Sequence, residues 1–218
     1  LGALVETLDG RYRTAEDVGT TEHDMLVVRE RTAHVVGLPA EAGGVGEPAV
    51  GTALGVFAAV APTLEEAFGD AAIAGRSFVI SGLGQVGGRL ARMLADAGAD
   101  LIVTDVVPAK RALADELGAR WIAPEDALVT PADVLVPAGL GGVLTSSAIR
   151  ALPVRAVVGP ANNPLDERAG AAELAERGIV YAPDFVVNAG GVISLDLVAK
   201  QRGTVDQIMG RVAGIGDT

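Results

Sequence analysis

The sequence predicts an α/β fold in which a doubly wound parallel sheet carries helices on both faces. Six short runs rich in branched apolar residues recur from residue 77 onward, and helical or loop stretches of β–α–β length separate most of them. These runs lack polar alternation, which is typical of parallel strands buried on both faces. A glycine-rich turn directly follows the first run, as in doubly wound sheets.

The amino-acid composition favours the same class. Half of the 218 residues are apolar, only 3% are aromatic, and 29 are glycine. The core must therefore consist mainly of Ala, Val, Leu and Ile, which suits stacked β–α units better than an all-β sandwich. A chain of this length can bury a sizeable core as one large domain, or as one domain with an appendage.

Residues 1–46 are predicted to form a mixed lead-in segment. It contains a helical end, a short strand around residues 11–14, a loop, and a helix that begins after Asp24 and runs to about Arg31. The residues GGVGEP at 43–48 then predict a loop.

A long apolar helix is predicted to lead from this loop toward the sheet. Pro48 suits its first turn, and its residues are apolar nearly all round, which predicts burial. Pro62 predicts a bend or a restart. The predicted strands follow as SFVIS, DLIVT, RWIA, DVLVP, RAVVG and GIVYA. We assign residues 47–200 to the α/β domain and residues 201–218 to a C-terminal helical segment.

Charge and missing residue types argue against several functions. The net charge of −11 repels nucleic acid and anionic membranes. The sequence has no cysteine, which excludes disulfides and thiolate catalysis, and His23 and His34 have no second ligand beside them, so we predict no metal site. No apolar run of ~18 residues lacks charge or glycine, and no signal-peptide pattern opens the chain. We therefore expect a cytoplasmic protein without a membrane span.

The residues GLGQVG at 82–87 fit the pattern G-x-G-x-x-G. Gly82 suits a tight turn, Gly84 lets the backbone approach a pyrophosphate, and Gly87 lets the next helix pack on the sheet. The pattern alone is weak, but a strand precedes it and a helix follows it. We therefore predict a Rossmann-type cofactor site in which that helix directs its N–H groups at the phosphates. The predicted contacts are Gly82, Gly84, Gln85, Val86 and Gly87.

Asp105 ends the second predicted strand, roughly 20 residues after the glycine loop. A carboxylate at this position can accept hydrogen bonds from both ribose hydroxyls of NAD and would repel the 2′-phosphate of NADP. The sequence therefore predicts NAD as the cofactor. Lys110 and Arg111 lie nearby and leave NADP open.

Polar groups for chemistry are expected beyond the carboxyl ends of the strands, where doubly wound sheets bind ligands. Segments that follow predicted strands carry Asn162, Asn163 and Asn188, whose amides suit a carboxamide or an amino acid. Turn formation is the competing explanation for such residues. No lysine or histidine lies at these ends to act as a general acid or base.

Several segments together resemble the NAD-dependent amino acid dehydrogenases that act on leucine, valine, phenylalanine or glutamate, with leucine and valine dehydrogenases the most similar. AEDVGT and APD-x-x-x-NAGG are far more specific than the glycine loop. The segments that carry the resemblance are TAEDVGT (14–20), GVGEPAVGTALGVF (44–57), GLGQVGG (82–88), VTD (103–105), AGLGG (138–142), GPANN (159–163) and YAPDFVVNAGGVI (181–193).

The resemblance implies oxidative deamination of an L-amino acid to a 2-oxo acid and ammonia, with hydride passing to NAD. Asp17 matches the family's catalytic aspartate, which handles protons at the substrate amino group and the attacking water. Thr52 matches a threonine that contacts the nicotinamide carboxamide. Asn163 and Asn188 match asparagines near the nicotinamide and the substrate.

The sequence departs from this family in lacking two catalytic lysines. In the family these lysines lie in an N-terminal domain ahead of the aspartate loop, and nothing resembling their glycine-rich segment is present here. We therefore expect residues 1–46 to link to a missing N-terminal domain, residues 47–200 to bind NAD, and this chain alone to be inactive. The lysine domain is either outside the present sequence or naturally lost. The resemblance also implies a homo-oligomer, assembled through that other domain.

Smaller departures affect the nucleotide wall and the substrate pocket. Gly139, next to Ala138 in the predicted wall, replaces a common cysteine or alanine, and Pro160 replaces a small residue. Ala15 and Val192 match positions near the side-chain pocket and favour valine or leucine as substrate. Two alternatives stay open: a non-catalytic NAD-binding homologue or regulatory subunit, and another Rossmann oxidoreductase such as an imine reductase.

Overall fold

The computed structural model describes residues 1–17, 19–42, 48–199 and 204–218. Its centre is a six-stranded parallel sheet in the order β3-β2-β1-β4-β5-β6. The strands are β1 (Ser77–Ser81), β2 (Asp100–Thr104), β3 (Arg120–Trp121), β4 (Val134–Pro137), β5 (Ala156–Val157) and β6 (Val180–Tyr181). Each of the six predicted runs contains one strand. The predicted doubly wound parallel sheet is therefore confirmed.

Helices cover both faces of this sheet. They are α1 (Gly2–Glu6), α2 (Glu22–Arg29), α3 (Pro48–Phe68), α4 (Gln85–Asp96), α5 (Arg111–Glu116), α6 (Ser146–Ala151), α7 (Gly170–Glu176), α8 (Asp184–Val187), α9 (Gly190–Ala199) and α10 (Val205–Ala213). Side chains of α3, α4 and α10 share one apolar core with the sheet, and those of α6 and α7 share a second core on the opposite face.

The central strand shows why the apolar runs lack polar alternation. Phe78 and Ile80 of β1 point into the first core and Val79 into the second, and all three are fully buried. Because successive side chains of a strand alternate between faces, a strand covered on both sides must be apolar at every position. The chain winds outward from β1 in both directions, which places a crevice beside β1 and β4 at the carboxyl edge of the sheet.

The central helix α3 runs unbroken from Pro48 to Phe68, so the predicted restart at Pro62 is wrong, while the predicted bend stays a prediction. Proline removes one intrahelical hydrogen bond, but Val60 and Leu64 on either side of it are fully buried, and this packing favours a continuous helix. Pro48 does open the helix, as predicted. By length and composition α3 could also cross a bilayer; here it packs against α4, α9 and α10.

The lead-in segment differs from its prediction in two places. The short strand around residues 11–14 is only a single parallel bridge between Thr14 and Val35. Helix α2 begins at Glu22 rather than after Asp24, because the Thr21 side chain accepts from the Asp24 backbone N–H while the Asp24 carboxylate accepts from the Thr21 backbone N–H. The Thr21 hydroxyl also donates to the Asp24 carboxylate at 2.7 Å, and this bond together with the one from the Thr21 N–H lowers the pKa of the Asp24 carboxyl.

Some sequence predictions fall outside the described residues. The loop at 43–47 and the domain limits near 47 and 200 are among them, so the domain division stays a prediction. Helix α10 lies within the predicted C-terminal helical segment and begins at a second capping box, formed by Thr204 and Gln207.

The amino edge of the sheet is closed by a stacked aromatic ring at the end of α3. The guanidinium carbons of Arg76 and Arg155 lie 4.2 and 4.4 Å from the centroid of the Phe68 ring. These arginines immediately precede β1 and β5, and Arg155 also donates to the carbonyl oxygen of Ala67. The arrangement fastens α3 to the edge of the sheet opposite the crevice.

Candidate functional site

A cleft of about 630 Å³ lies at the carboxyl edge of the sheet, where the strand order reverses. Its volume is within the range usual for small-molecule sites. The cleft is lined by Glu16, Asp17, Gly19, Thr20, Pro48, Ala49, Thr52, Gly84, Gln85, Val86, Ala138, Gly139, Leu140, Pro160, Ala161, Asn162, Asn188 and Val192.

Two glycines of the motif, Gly82 after β1 and Gly87 in the first turn of α4, are required by the protein's own packing. Gly82 has a φ of +116°, and a Cβ there would lie 2.8 Å from the carbonyl carbon and oxygen of Ala138. A Cβ at Gly87 would lie 2.1 Å from the carbonyl oxygen of Gly82. Neither residue lines the cleft; both allow β1, α4 and the loop after β4 to approach closely.

The middle glycine of the loop differs from its two neighbours in the motif. Gly84 has an ordinary φ of −66°, and a Cβ there would meet no atom within 4 Å. It lines the cleft immediately before α4, whose amino end receives no side-chain cap from the described residues. The first N–H groups of a helix have no acceptor inside it, and the helix dipole favours an anion there. The geometry therefore fits a pyrophosphate above Gly84.

Asp105 is half-buried at the end of β2 and is bound to the glycine loop. Its carboxylate accepts from the backbone N–H of Leu83 at 2.7 Å and from that of Val107 at 2.8 Å. It does not line the cleft itself. Each carboxylate oxygen keeps a second lone pair, so the group can still accept from ribose hydroxyls.

The opposite wall of the cleft is formed by the loops after β4 and β5, which pack directly on each other. A Cβ at Gly141 would lie 2.3 Å from the carbonyl oxygen of Asn162. The Gly142 N–H donates to the carbonyl oxygen of Asn163 at 2.8 Å. Leu140, between these contacts and the cleft, is 80% exposed.

Two asparagine amides face the cleft together. The Asn188 Nδ2 donates to the Asn162 Oδ1 at 2.8 Å and to the carbonyl oxygen of Pro160 at 3.3 Å. Asn163, predicted as a contact, is not among the lining residues; it has a left-handed φ of +49°, and its N–H donates to the Asp184 Oδ2. The structure thus places the neighbouring Asn162 in the cleft, and Asn163 beside it as a backbone link.

The predicted catalytic aspartate lies on the wall contributed by the lead-in segment. Asp17 lies in a tight turn whose backbone N–H donates to the Thr20 Oγ1 and whose carbonyl accepts from the Thr20 N–H. Both residues line the cleft, as does the half-buried Glu16. Ala15, one of the two predicted pocket residues, does not line it.

Two further predicted residues reach the cleft from helices. Thr52 on α3 lines it and donates through Oγ1 to the carbonyl oxygen of Pro48 at 3.1 Å. Val192 on α9 lines it and is 71% exposed. Within the described part of the chain, no three His, Asp or Glu side chains are grouped to hold a metal ion.

The sequence did not single out several lining residues as contacts. Glu16 and Thr20 flank Asp17 within the AEDVGT segment, so their neighbourhood was the available signal. Asn162 is one of the amides that the sequence places after a strand, but the sequence does not show that Asn162 rather than Asn163 lines the cleft. Leu140 and Ala161 carried no signal beyond lying after strands.

Comparisons with known proteins identify relatives of this chain. A family model for glutamate/leucine/phenylalanine/valine dehydrogenases matches residues 109–207. Leucine dehydrogenase of Thermoactinomyces intermedius is 40% identical over 221 residues, covering all of this chain and 59% of the relative. Phenylalanine dehydrogenase of Lysinibacillus sphaericus is 40% identical over 200 residues, covering 89% of this chain and 52% of the relative. The chain belongs to this amino acid dehydrogenase family.

Two solved dehydrogenase structures share the fold. The crystal structure of L-tryptophan dehydrogenase from Nostoc punctiforme matches with a TM-score of 0.79 and 32% identity, over 99% of this chain and 62% of that one. Hetero-hexameric glutamate dehydrogenase from Thermus thermophilus also gives a TM-score of 0.79, but at 22% identity it shows the fold alone. The family member described here thus spans about 60% of the length of these dehydrogenases.

Proposed function

We propose that this chain provides the cofactor site of an NAD-dependent dehydrogenase that oxidatively deaminates a branched-chain L-amino acid. The overall reaction converts amino acid, water and NAD⁺ into 2-oxo acid, ammonium, NADH and a proton. The observation that carries the proposal is Gly84, where the protein's own packing leaves room for a side chain yet the residue is glycine. An occupant of the cleft above it explains that choice.

The proposed path of the dinucleotide follows the order of the strands. Asp105 after β2 would accept from the adenosine ribose, and the start of α4 after β1 would hold the pyrophosphate. The nicotinamide half would then extend past β4 toward β5, along Ala138 and Gly139 to the amides of Asn162 and Asn188. NAD is favoured over NADP because the Asp105 carboxylate would oppose a 2′-phosphate.

The proposed chemistry needs an anion close to the reacting carbon. The bound cofactor supplies the hydride acceptor. Asp17 would hold and move protons at the substrate amino group and at the attacking water, and its charge would stabilise the developing iminium. Thr52 would orient the nicotinamide carboxamide from α3. These roles rest on the family resemblance and on the presence of both residues in one cleft.

A further segment is proposed to complete the active site. The chain has two lysines, Lys110 after β2 and Lys200, which lies outside the described residues. Neither matches the family's two catalytic lysines, and the chain covers 59% of the length of its leucine dehydrogenase relative. We therefore propose that an N-terminal lysine-bearing domain closes over the cleft, that the assembled protein is a homo-oligomer, and that it is cytoplasmic.

The preference for valine or leucine is proposed from Val192 at the cleft wall. A methylene contact alters selectivity by only about 1–3 kcal/mol, so a graded preference is expected rather than strict exclusion. No described residue that lines the cleft is cationic, and a glutamate side chain would therefore find no partner there.

The proposal is tested in the protein that contains this chain together with a lysine-bearing N-terminal domain. NADH formation should be fastest with L-leucine or L-valine, slower with L-phenylalanine and lowest with L-glutamate. The variant Asp17→Asn should reduce kcat far more than it weakens NAD⁺ binding. Equal losses in both quantities would refute the catalytic role of Asp17.

The second candidate function is a non-catalytic NAD-binding homologue or regulatory subunit. No lysine is among the described residues that line the cleft, which favours it. Under that alternative, NAD⁺ would raise the Tm of the protein. The protein would turn over no L-amino acid, whichever N-terminal domain is joined to this chain.

A further inference from the structure

Asp184, the first residue of α8, joins segments that come from different parts of the sheet. Its Oδ2 accepts from the backbone N–H of Asn163 at 2.9 Å, and its Oδ1 accepts from the Tyr181 hydroxyl at 2.8 Å. Asp184 itself is half-buried and does not line the cleft. Its carboxylate accepts a hydrogen bond from the backbone of the cleft wall on the side away from the cleft.

The residue that Asp184 holds is a junction between two loops. The Asn163 N–H donates to Asp184, while the Asn163 carbonyl oxygen accepts from the Gly142 N–H at 2.8 Å. Asn163 also has a φ of +49°, a left-handed conformation that its surroundings must hold in place. One peptide segment therefore ties the loop after β4 and the loop after β5 to α8.

The other end of α8 holds the same loop from inside the cleft. The Asn188 Nδ2, just beyond the end of α8, donates to the Asn162 Oδ1 and to the carbonyl oxygen of Pro160. Helix α8 thus contacts residues 160–163 at two points, through Asp184 outside the cleft and through Asn188 within it. The Asn162 and Asn188 amides, bonded to each other, therefore lie in a segment that α8 contacts at both of its ends.

The Tyr181 hydroxyl stays a hydrogen-bond donor to Asp184. Burial, and then the hydrogen bond to Asp184, raise the pKa of the Tyr181 hydroxyl above its ordinary value, so the phenol keeps its proton and donates. The N–H of Asn163 donates to the other oxygen of the same carboxylate at 2.9 Å, and hydrogen bonds to a carboxylate are stronger than those between neutral groups.

We propose that Asp184 is a positioning residue for the nicotinamide half of the cleft. It fixes the loop 160–163 so that the Asn162 and Asn188 amides face the bound nicotinamide, and it has no part in holding the adenosine half. The inference rests on the proposed function, because it assumes that a nicotinamide dinucleotide lies along this wall.

The test compares the affinities of two ligands by titration calorimetry. NAD⁺ probes the whole cleft, whereas ADP-ribose lacks the nicotinamide and probes the rest. In Asp184→Ala we expect the Kd for NAD⁺ to rise about tenfold, the effect of losing one positioned hydrogen bond, with the Kd for ADP-ribose unchanged. Phe185→Ala changes the adjacent, 75% exposed side chain and should alter neither affinity.

A conservative variant separates positioning from charge. In Asp184→Asn the side-chain oxygen can still accept from the Asn163 N–H while the amide donates to the Tyr181 oxygen, so NAD⁺ binding should be largely restored. If Asp184→Ala does not fold, Asp184→Glu keeps the charge but displaces the carboxylate by one methylene. It should show the same selective loss of NAD⁺ affinity.

The outcomes distinguish this inference from the proposed function. A wild-type chain that binds both ligands, with the ratio of their Kd values unchanged in Asp184→Ala and Asp184→Glu, overturns the positioning role alone. Equal weakening of NAD⁺ and ADP-ribose, in step with a fall in Tm, also overturns it. A wild-type chain that binds neither ligand overturns the proposed function and this inference with it.

Discussion

Alanine substitutions at Gly84 and Gly87 should have different effects, because Gly84 is proposed to contact the ligand whereas Gly87 contacts the protein's own backbone. At Gly84 the added Cβ meets no atom within 4 Å and φ is −66°, so alanine fits the folded chain. At Gly87 the added Cβ would lie 2.1 Å from the Gly82 carbonyl oxygen, far inside ordinary contact distance. Gly84→Ala should therefore impair binding, and Gly87→Ala should impair folding.

The expected stability changes follow from these contacts. Alanine is a poorer N-cap than glycine by up to about 1 kcal/mol, but it also lowers the entropy of the unfolded chain by a comparable amount. Gly84→Ala should therefore keep its free energy of unfolding within about 1 kcal/mol of the wild type. At Gly87, overpacking costs about 1–3 kcal/mol or more, against about 1 kcal/mol gained by alanine inside a helix. A net loss of about 2 kcal/mol, or roughly 4–8 °C in Tm, is expected.

The variant expected to lose little stability, Gly84→Ala, is expected to lose affinity for NAD⁺. A Cβ at Gly84 would displace the pyrophosphate from at least one backbone N–H, and a hydrogen bond to a charged group contributes about 1.5–3 kcal/mol. The Kd for NAD⁺ should rise by roughly 10- to 100-fold. Gly210→Ala is the matched control, since its Cβ also meets no atom within 4 Å and it lies on α10, remote from the glycine loop.

Thermal unfolding and titration calorimetry on the same three variants measure both quantities. The reasoning is refuted if Gly84→Ala binds NAD⁺ as tightly as Gly210→Ala does, because the cleft above Gly84 would then not be in use. It is equally refuted if Gly84→Ala loses stability to the extent of Gly87→Ala, because Gly84 would then be a packing residue.

Further predictions concern the stability of the fold. Phe68→Leu removes the ring between two guanidinium groups and should lower the free energy of unfolding by about 1–2 kcal/mol in denaturant titration; Phe185→Leu, at a 75% exposed position, should not, and equal effects would count against the stacking. The pKa of Tyr181 is raised in the folded chain above its ordinary value of 10.0, so its contribution is fully present below that pH and is lost as pH rises beyond it. Chemical denaturation across alkaline pH should show Tyr181→Phe losing less stability than the wild type, and parallel curves would contradict the assignment.

The strands could be predicted because their signal is local. A parallel strand covered on both faces must be apolar at consecutive positions, and DLIVT and DVLVP satisfy this within five residues. The predicted restart at Pro62 is wrong because the continuity of α3 depends on contacts that are not local in the sequence. The packing that keeps α3 continuous around it comes from α9, α10 and the sheet, which are distant in sequence.

The part of the candidate site that lies at the glycine-rich turn could be predicted, because the glycine motif specifies that turn. The glycine pattern indicates the turn between β1 and α4, because Gly82 and Gly87 allow close backbone contacts there and Gly84 lines the cleft. The choice between Asn162 and Asn163 was not predictable, since it depends on the left-handed φ of Asn163 and on Asp184, which lies 21 residues further along the chain. The same holds for Leu83, whose N–H binds Asp105 across 22 residues.

The most direct measurement of the central claim is a crystal structure of this chain grown with NAD⁺. The account predicts the pyrophosphate directly above Gly84, within hydrogen-bonding distance of backbone N–H groups at the start of α4. The adenosine ribose should lie beside Asp105, and the nicotinamide should extend toward Asn162 and Asn188. A dinucleotide bound elsewhere on the chain, or crystals in which this cleft does not take it up, would contradict the account.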